Sequence, residues 1–180
     1  MRCLRTLGGI ILLSGAVPAV LPAEPAAAAT FVVSRLRQTD LSITVPATAS
    51  LGAGLPGATL SRRLGVVTVR DSRPINPNTW TVTVTSTPFI TGSGSAAQTI
   101  PTSRVSYWSG PATRHTGGGN LVPGQLTSAQ AQTLTVPRIA FRKTSGNANN
   151  RVSWMPTLVV SIPSGAVVGL YRGTVTHSVS

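Results

Sequence analysis

Few side chains in this sequence can do acid–base, nucleophilic or metal chemistry. The 180 residues include two histidines, His115 and His177, one cysteine, Cys3, and three carboxylates, Glu24, Asp40 and Asp71. Three carboxylates cannot build a calcium or magnesium cage, which takes about six or more oxygen ligands. Two histidines and one cysteine cannot close a structural zinc site. A glycosidase pair of carboxylates is improbable on the same count. Serines are plentiful, and His115 with Asp40 or Asp71 could in principle complete a triad. No G-x-S-x-G elbow exists, however, and Asp71 lies between Arg70 and Arg73, where an ion pair is the simpler expectation. Thr116-Gly117-Gly118-Gly119-Asn120 is glycine-rich but lacks the lysine and helix of a phosphate loop, so it reads as a flexible loop. The expectation is a chain without catalytic residues, metal or cofactor.

Binding chemistry is better represented. Lys and Arg total 15 against 3 acids, a formal net charge of +12, yet charged residues are only 10% of the chain. The arginines are spread along the sequence, which suits either solubility or attraction to a polyanion. Arg138 and Arg142 read as one face of a strand whose other face holds Ile139 and Phe141. Among the aromatics, Trp80 alternates with valines and is expected in the core, with stacking on a ligand as the functional alternative. Tyr107 and Trp108 are adjacent, so one should be buried and the other exposed. The exposed one is the best candidate for stacking on a sugar ring, with Trp154 a second. His177 shares parity with Tyr171, Val175 and Val179, and would make binding pH-sensitive if it lies in the site. Lys143 stands near Asn147, Asn149 and Asn150. A Lys–Asn isopeptide crosslink, found in some surface sandwiches of Gram-positive bacteria, would also need Asp40 or Asp71 beside it. The simpler reading is an ordinary edge-strand charge.

The elements that must position these residues are strands. Residues 1–29 read as an export signal: Arg2 and Arg5, an apolar run from Leu7 to Leu21, and Ala26–Ala29 as an A-x-A cleavage site, cut after Ala28 or Ala29. The run is shorter than the ~20 residues a membrane helix needs. Cys3 would leave with the signal, so the exported domain, residues 30–180, would hold no disulfide. Beyond residue 29 no helical periodicity persists, Ser128–Leu134 being too short, and period-2 alternation dominates. Strands are expected at 31–36, 41–45, 59–70, 80–85, 104–108, 133–142, 151–155, 158–162 and 171–179. Turns are expected at Pro46–Gly57, Ser72–Asn78, Gly92–Ala97, Ser109–Gln125, Thr144–Asn150 and Pro163–Gly165. This is the pattern of an all-β chain, a single antiparallel β-sandwich of Ig-like or Greek-key type. Ser109–Gln125 is long for a loop, which suggests function or mobility.

From Gly65 the sequence reads GVVTVRDSR, a proline-rich turn, then TWTVTVTSTPF. This is similar to the first conserved block of the WxL-type cell-wall-binding domains of Gram-positive bacteria, with Trp80-Thr81-Val82 as the W-x-L/V motif. Tyr171–Val179 resembles the family's second block, except that His177 stands where the family has its second tryptophan. The resemblance spans residues 40–180, and the Arg, Ala and Gly content looks actinobacterial. It implies a secreted β-sandwich attached non-covalently to the wall through peptidoglycan. Attraction to anionic wall polymers follows from the charge. The alternative is a structural or adhesive subunit that binds another surface protein. No transmembrane anchor and no specific nucleic-acid partner are expected; nucleic acid bound in vitro would be a side effect of charge.

Overall fold

The computed structural model describes residues 3–12, 41–146 and 149–180, the first stretch by its backbone. The strand expected at 31–36 and Asp40 lie outside these residues. In chain order the strands are β1 (Cys3–Leu12), β2 (Leu41–Thr44), β3 (Thr48–Ala53), β4 (Thr59–Arg63), β5 (Val67–Asp71), β6 (Trp80–Ser86), β7 (Phe89–Ile90) and β8 (Thr99–Ile100). They continue as β9 (Val105–Trp108), β10 (Ala112–Thr116), β11 (Leu121–Pro123), β12 (Gln132–Thr133), β13 (Arg138–Lys143), β14 (Asn150–Trp154), β15 (Thr157–Ser161) and β16 (Leu170–Val179). The only helical turns among the described residues are short 3-10 segments at Ala96–Gln98, Thr102–Arg104 and Ser128–Gln130.

The first sheet runs β11-β13-β6-β16-β1-β3, with β7 on β16 and β8 on β7. The rest pair as two four-stranded groups, β10-β14-β5-β2 and β12-β9-β15-β4. Their registers show that these groups are the two halves of one long second sheet. Arg63 pairs with Thr157 and Val67 with Trp154; Trp108 pairs with Thr157 and Ala112 with Trp154. Thus β4–β5, β14–β15 and β9–β10 are each one strand interrupted at the same level. At that level Leu64 N–H donates to the Pro156 oxygen at 2.9 Å, bridging the interruption. Such bulges bend a long sheet without ending it.

The alternating residues meet between the sheets. Val82, Val84, Phe141, Tyr171, Val175 and Val179 face Val67, Val69, Val152, Trp154, Leu158 and Val160, all essentially inaccessible to solvent. The all-β sandwich is the expected class. Two expected turns are wrong. Pro46–Gly57 contains β3: small residues and one buried leucine, Leu51, make a strand without a strong alternation signal. Ser109–Gln125 is not one long loop, because β10 and β11 lie within it and the glycine-rich stretch is the turn between them. The polar residues of β10, and Pro123 at the end of β11, suit strands that lie at a sheet edge.

Residues 3–12, read as the start of the export signal, form β1. It pairs antiparallel with β16 from Cys3↔Val179 to Leu12↔Leu170, and parallel with β3 from Gly8↔Thr48 to Leu12↔Ala53.

Candidate functional site

Residues directly opposite on neighbouring strands share a face. On the second sheet three such rows turn outward, away from the buried valines. One is Ser42, Arg70, Arg151 and Thr116; the next is Thr44, Thr68, Ser153 and Arg114; beyond the bulge comes Arg63, Thr157 and Trp108. Arg63, Arg70, Arg114 and Arg151 are exposed, and Trp108 is half-buried. Thr68 and Ser153 hydroxyls lie 2.9 Å apart between the two arginine levels. Arg70 and Arg151 stand directly opposite each other, an arrangement of like charges that disfavours the sheet on its own. A shallow concavity of about 310 Å³ beside them is lined by Arg70, Asp71, Ser72, Thr116, Asn149, Asn150 and Arg151.

The described residues contain one carboxylate, Asp71, and it faces inward. Arg73 grips it with Nε to Oδ1 at 2.9 Å and Nη2 to Oδ2 at 2.8 Å, and Arg73 N–H also donates to Oδ1. Burial alone would raise the Asp71 pKa; the Arg73 hydrogen bonds and charge outweigh it and hold the carboxyl below its ordinary value. This is the expected ion pair. The outward arginines therefore have no described carboxylate to neutralise them.

Four of the aromatic candidates lie in the core and cannot reach a polymer. Trp80 is buried and donates Nε1–H to Asn150 Oδ1 at 3.0 Å. Trp154 is fully buried and stacks on Phe141 with ring centroids 4.9 Å apart, which corrects its reading as an exposed stacking residue. Tyr107 and His177 are fully buried, and the Tyr107 hydroxyl lies 3.1 Å from His177 Nε2. Burial pushes the His177 pKa down to about 4 and raises that of Tyr107. His177 therefore titrates inside the core, not in a site. Trp108 is the member of the Tyr107–Trp108 pair that reaches the surface.

Arg138 and Arg142 do not share a face. The β13–β6 register slips between Ile139 and Phe141, so Arg138 stands opposite the buried Val84 and Arg142 opposite the outward Thr81. Ala140 is the extra residue, and simple alternation fails across such a bulge. Arg138 Nε donates to the Thr133 oxygen at 3.0 Å, while Arg142 is exposed on the outer side of the first sheet. Both border a second concavity, of about 350 Å³, that shares no lining residue with the one beside Arg70 and Arg151.

Lys143 is not an edge-strand charge. It is buried at one end of the sandwich, and its Nζ donates to the Asn78 main-chain oxygen at 2.5 Å. Asn150 Nδ2 donates to Asn78 Oδ1 at 3.1 Å. Burial lowers the Lys143 pKa; the Asp71 charge works against that and the Arg73 charge with it. The fold thus brings Asp71, Asn78 and Asn150 around the lysine. The Arg73 fork keeps the carboxylate ionised, without the proton a crosslinking acid would supply. The glycine-rich turn closes over this cluster. Gly119 has φ +121°, and a Cβ there would come 2.8 Å from Lys143 Cε and 2.1 Å from the Ser145 oxygen. Close packing, and not looseness, selects glycine at that position.

Among the described residues no helix is long and apolar enough to cross a membrane, and no group of three or more His, Cys, Asp or Glu could hold a metal ion. The chain matches no protein-family model, no curated protein and no solved structure.

Proposed function

We propose that this chain is a secreted, non-enzymatic protein that attaches non-covalently to the bacterial cell wall through the outer face of its second sheet. One observation carries the reading: Arg63, Arg70, Arg114 and Arg151 share that face with Trp108 and a set of hydroxyls, while the one described carboxylate, Asp71, is buried beside them and held by Arg73. Each guanidinium offers a planar fork that matches phosphate or carboxylate. An anionic polymer lying across the rows relieves the Arg70–Arg151 repulsion, and the Trp108 ring offers a glycan an apolar surface. The net charge of +12 supplies long-range attraction to such a polymer. The WxL-like resemblance points to the same surroundings.

The test is retention on purified cell walls across a salt series, with intact walls and with walls stripped of anionic polymers. Intact walls should hold the protein at low salt and release it progressively as salt rises. A double variant, Arg70→Ser with Arg151→Ser, should be released at lower salt, while Arg142→Ser on the opposite side should behave nearly as the parent. Retention by stripped walls at high salt that Trp108→Ala abolishes would identify the glycan contact. Absence of binding at every salt concentration overturns the reading and turns attention to a protein partner.

A further inference from the structure

Exposed aliphatic side chains gather at one end of the sandwich. β16 begins there at Leu170, which pairs with Leu12 of β1, and Leu12 pairs in turn with Ala53 at the end of β3. The turn after β3 presents Leu55 with 59% of its surface exposed. Gly57 N–H in that turn donates to the Ile162 oxygen at 3.1 Å, which ties it to the turn after β15. This second turn, 163–169, presents Val168 at 58% together with Val167. Val167 N–H donates to the Ala97 oxygen at 2.9 Å, joining it to the 91–98 turn that leaves β7 at Ile90. Leu55, Ile90, Val167, Val168 and Leu170 make up half of the large hydrophobic residues exposed among the described residues. Turns ordinarily carry polar residues, so aliphatics gathered on three of them mark a contact surface.

The backbone beneath the cluster is already paired. The Tyr171 hydroxyl lies 2.9 Å from the Val167 oxygen and 3.1 Å from the Ala97 oxygen. Ala58 N–H donates to the Leu55 oxygen at 3.0 Å. Both main-chain polar groups of Val167 and the Leu55 oxygen are therefore bonded within the protein, and an apolar phase can take up this tip without stranding them.

The rim of the tip is cationic. Arg172 stands opposite Ile90 across the β7–β16 pair, and Arg104 precedes Val105, which pairs with Val160 near the end of β15. Both arginines are exposed. The one described carboxylate, Asp71, lies at the other end of the sandwich. It pairs with Asn150, which is hydrogen-bonded to Trp80, two residues before Val82, the partner of Val179. An apolar tip with arginines behind it complements a bilayer whose anionic phosphates lie above its hydrocarbon. Side chains that project from three separate turns also suit a fluid surface better than a fixed groove. We propose that this end of the sandwich docks on an anionic lipid bilayer, with Leu55, Val168 and Leu170 at the hydrocarbon boundary and Arg104 and Arg172 at the lipid phosphates. The site is separate from the Arg70–Arg151 face and does not rest on the wall-binding reading.

The test is co-sedimentation of the full chain with vesicles of equal parts phosphatidylglycerol and phosphatidylcholine, and with vesicles of phosphatidylcholine alone. Binding to the mixed vesicles should be about tenfold tighter or more. The double variant Leu55→Ser, Val168→Ser should bind the mixed vesicles about tenfold more weakly and keep the parent's thermal midpoint, since both side chains are exposed. Arg104→Ser with Arg172→Ser should narrow the difference between the two kinds of vesicle, and Arg70→Ser with Arg151→Ser should bind nearly as the parent. The apolar run Leu7–Leu21 has its own affinity for lipid, so the place of contact is read directly. Small bicelles of the mixed lipids carrying a nitroxide lipid should broaden amide signals at 55, 90 and 167–170 and leave those of Arg70 and Arg151 sharp. Broadening at Arg70 and Arg151 instead gives the attachment to charge alone and overturns the proposal. Broadening confined to residues 3–12 overturns it too, as does mixed-vesicle binding that the Leu55, Val168 variant leaves unchanged. Absence of binding to either kind of vesicle overturns it as well and passes the tip to a protein partner.

Discussion

At the scale of single residues, the side chains with chemistry serve the interior. His177 is the clearest case, because it is a buried neutral imidazole beside the Tyr107 hydroxyl. In the unfolded chain it titrates near 6.5, and burial in the fold pushes that down to about 4. Between those values the unfolded chain binds more protons than the folded one, so stability must fall as pH drops through this window. The loss approaches on the order of 3 kcal/mol near pH 4. Urea unfolding at pH 7 and at pH 4.5 should show it, and His177→Phe should flatten the dependence in that range. Equal stability at the two pH values in the parent would refute the assignment. Asp71 acts in a lower window: its carboxyl is held below the ordinary value by Arg73, so the stability it contributes is lost only as pH falls through that depressed value.

At the scale of elements, the interruptions of the strands decide the architecture. Gly65 sits in the bulge between β4 and β5 with φ +96°, and a Cβ there would lie 2.6 Å from Pro46 Cγ, on the crossover from β2 to β3. Gly65→Ala both strains the backbone and presses on the crossover, so a cost of roughly 1–3 kcal/mol is expected. Thermal unfolding of the variant should show a clearly lowered midpoint; an unchanged one would mean that the bulge and crossover yield freely. The same interruptions limited what the sequence disclosed. Trp80–Ser86 and Leu170–Val179 alternate cleanly and were legible as strands with a buried face, including the inward parity of His177. Arg138 and Ile139 were misplaced relative to Phe141 and Arg142 because the extra residue Ala140 shifts parity between the two pairs. The Arg70–Arg151 pairing was not legible, since cross-strand register is set by long-range packing that no local pattern encodes. Lys143 was misread because a charge at a strand end looks the same whether solvent or a neighbouring loop covers it.

At the scale of the whole molecule, the charge imbalance makes opposite demands on folding and on binding. With 15 basic residues against 3 acidic ones, and with Asp71 already engaged by Arg73, the surface repels itself. Self-repulsion disfavours the compact state, and added salt screens it. The Debye length shrinks from about 30 Å at 0.01 M to about 10 Å at 0.1 M, so repulsion between exposed charges further apart than that is largely screened at the higher concentration. The thermal midpoint should therefore rise with sodium chloride over the range in which retention on intact walls declines. This pairing matters for interpreting the wall experiment. Release by salt from a protein that is becoming more stable is loss of electrostatic attachment; release from one that is becoming less stable is unfolding. If the Arg70–Arg151 face binds oxyanions, inorganic phosphate should raise the midpoint further than chloride at equal ionic strength, because a ligand that binds only the folded state stabilises it by mass action. That extra rise should disappear in the Arg70→Ser, Arg151→Ser double variant and persist in Arg142→Ser. An extra rise that survives in the double variant would place the anion elsewhere on the surface and remove the second sheet from the attachment mechanism.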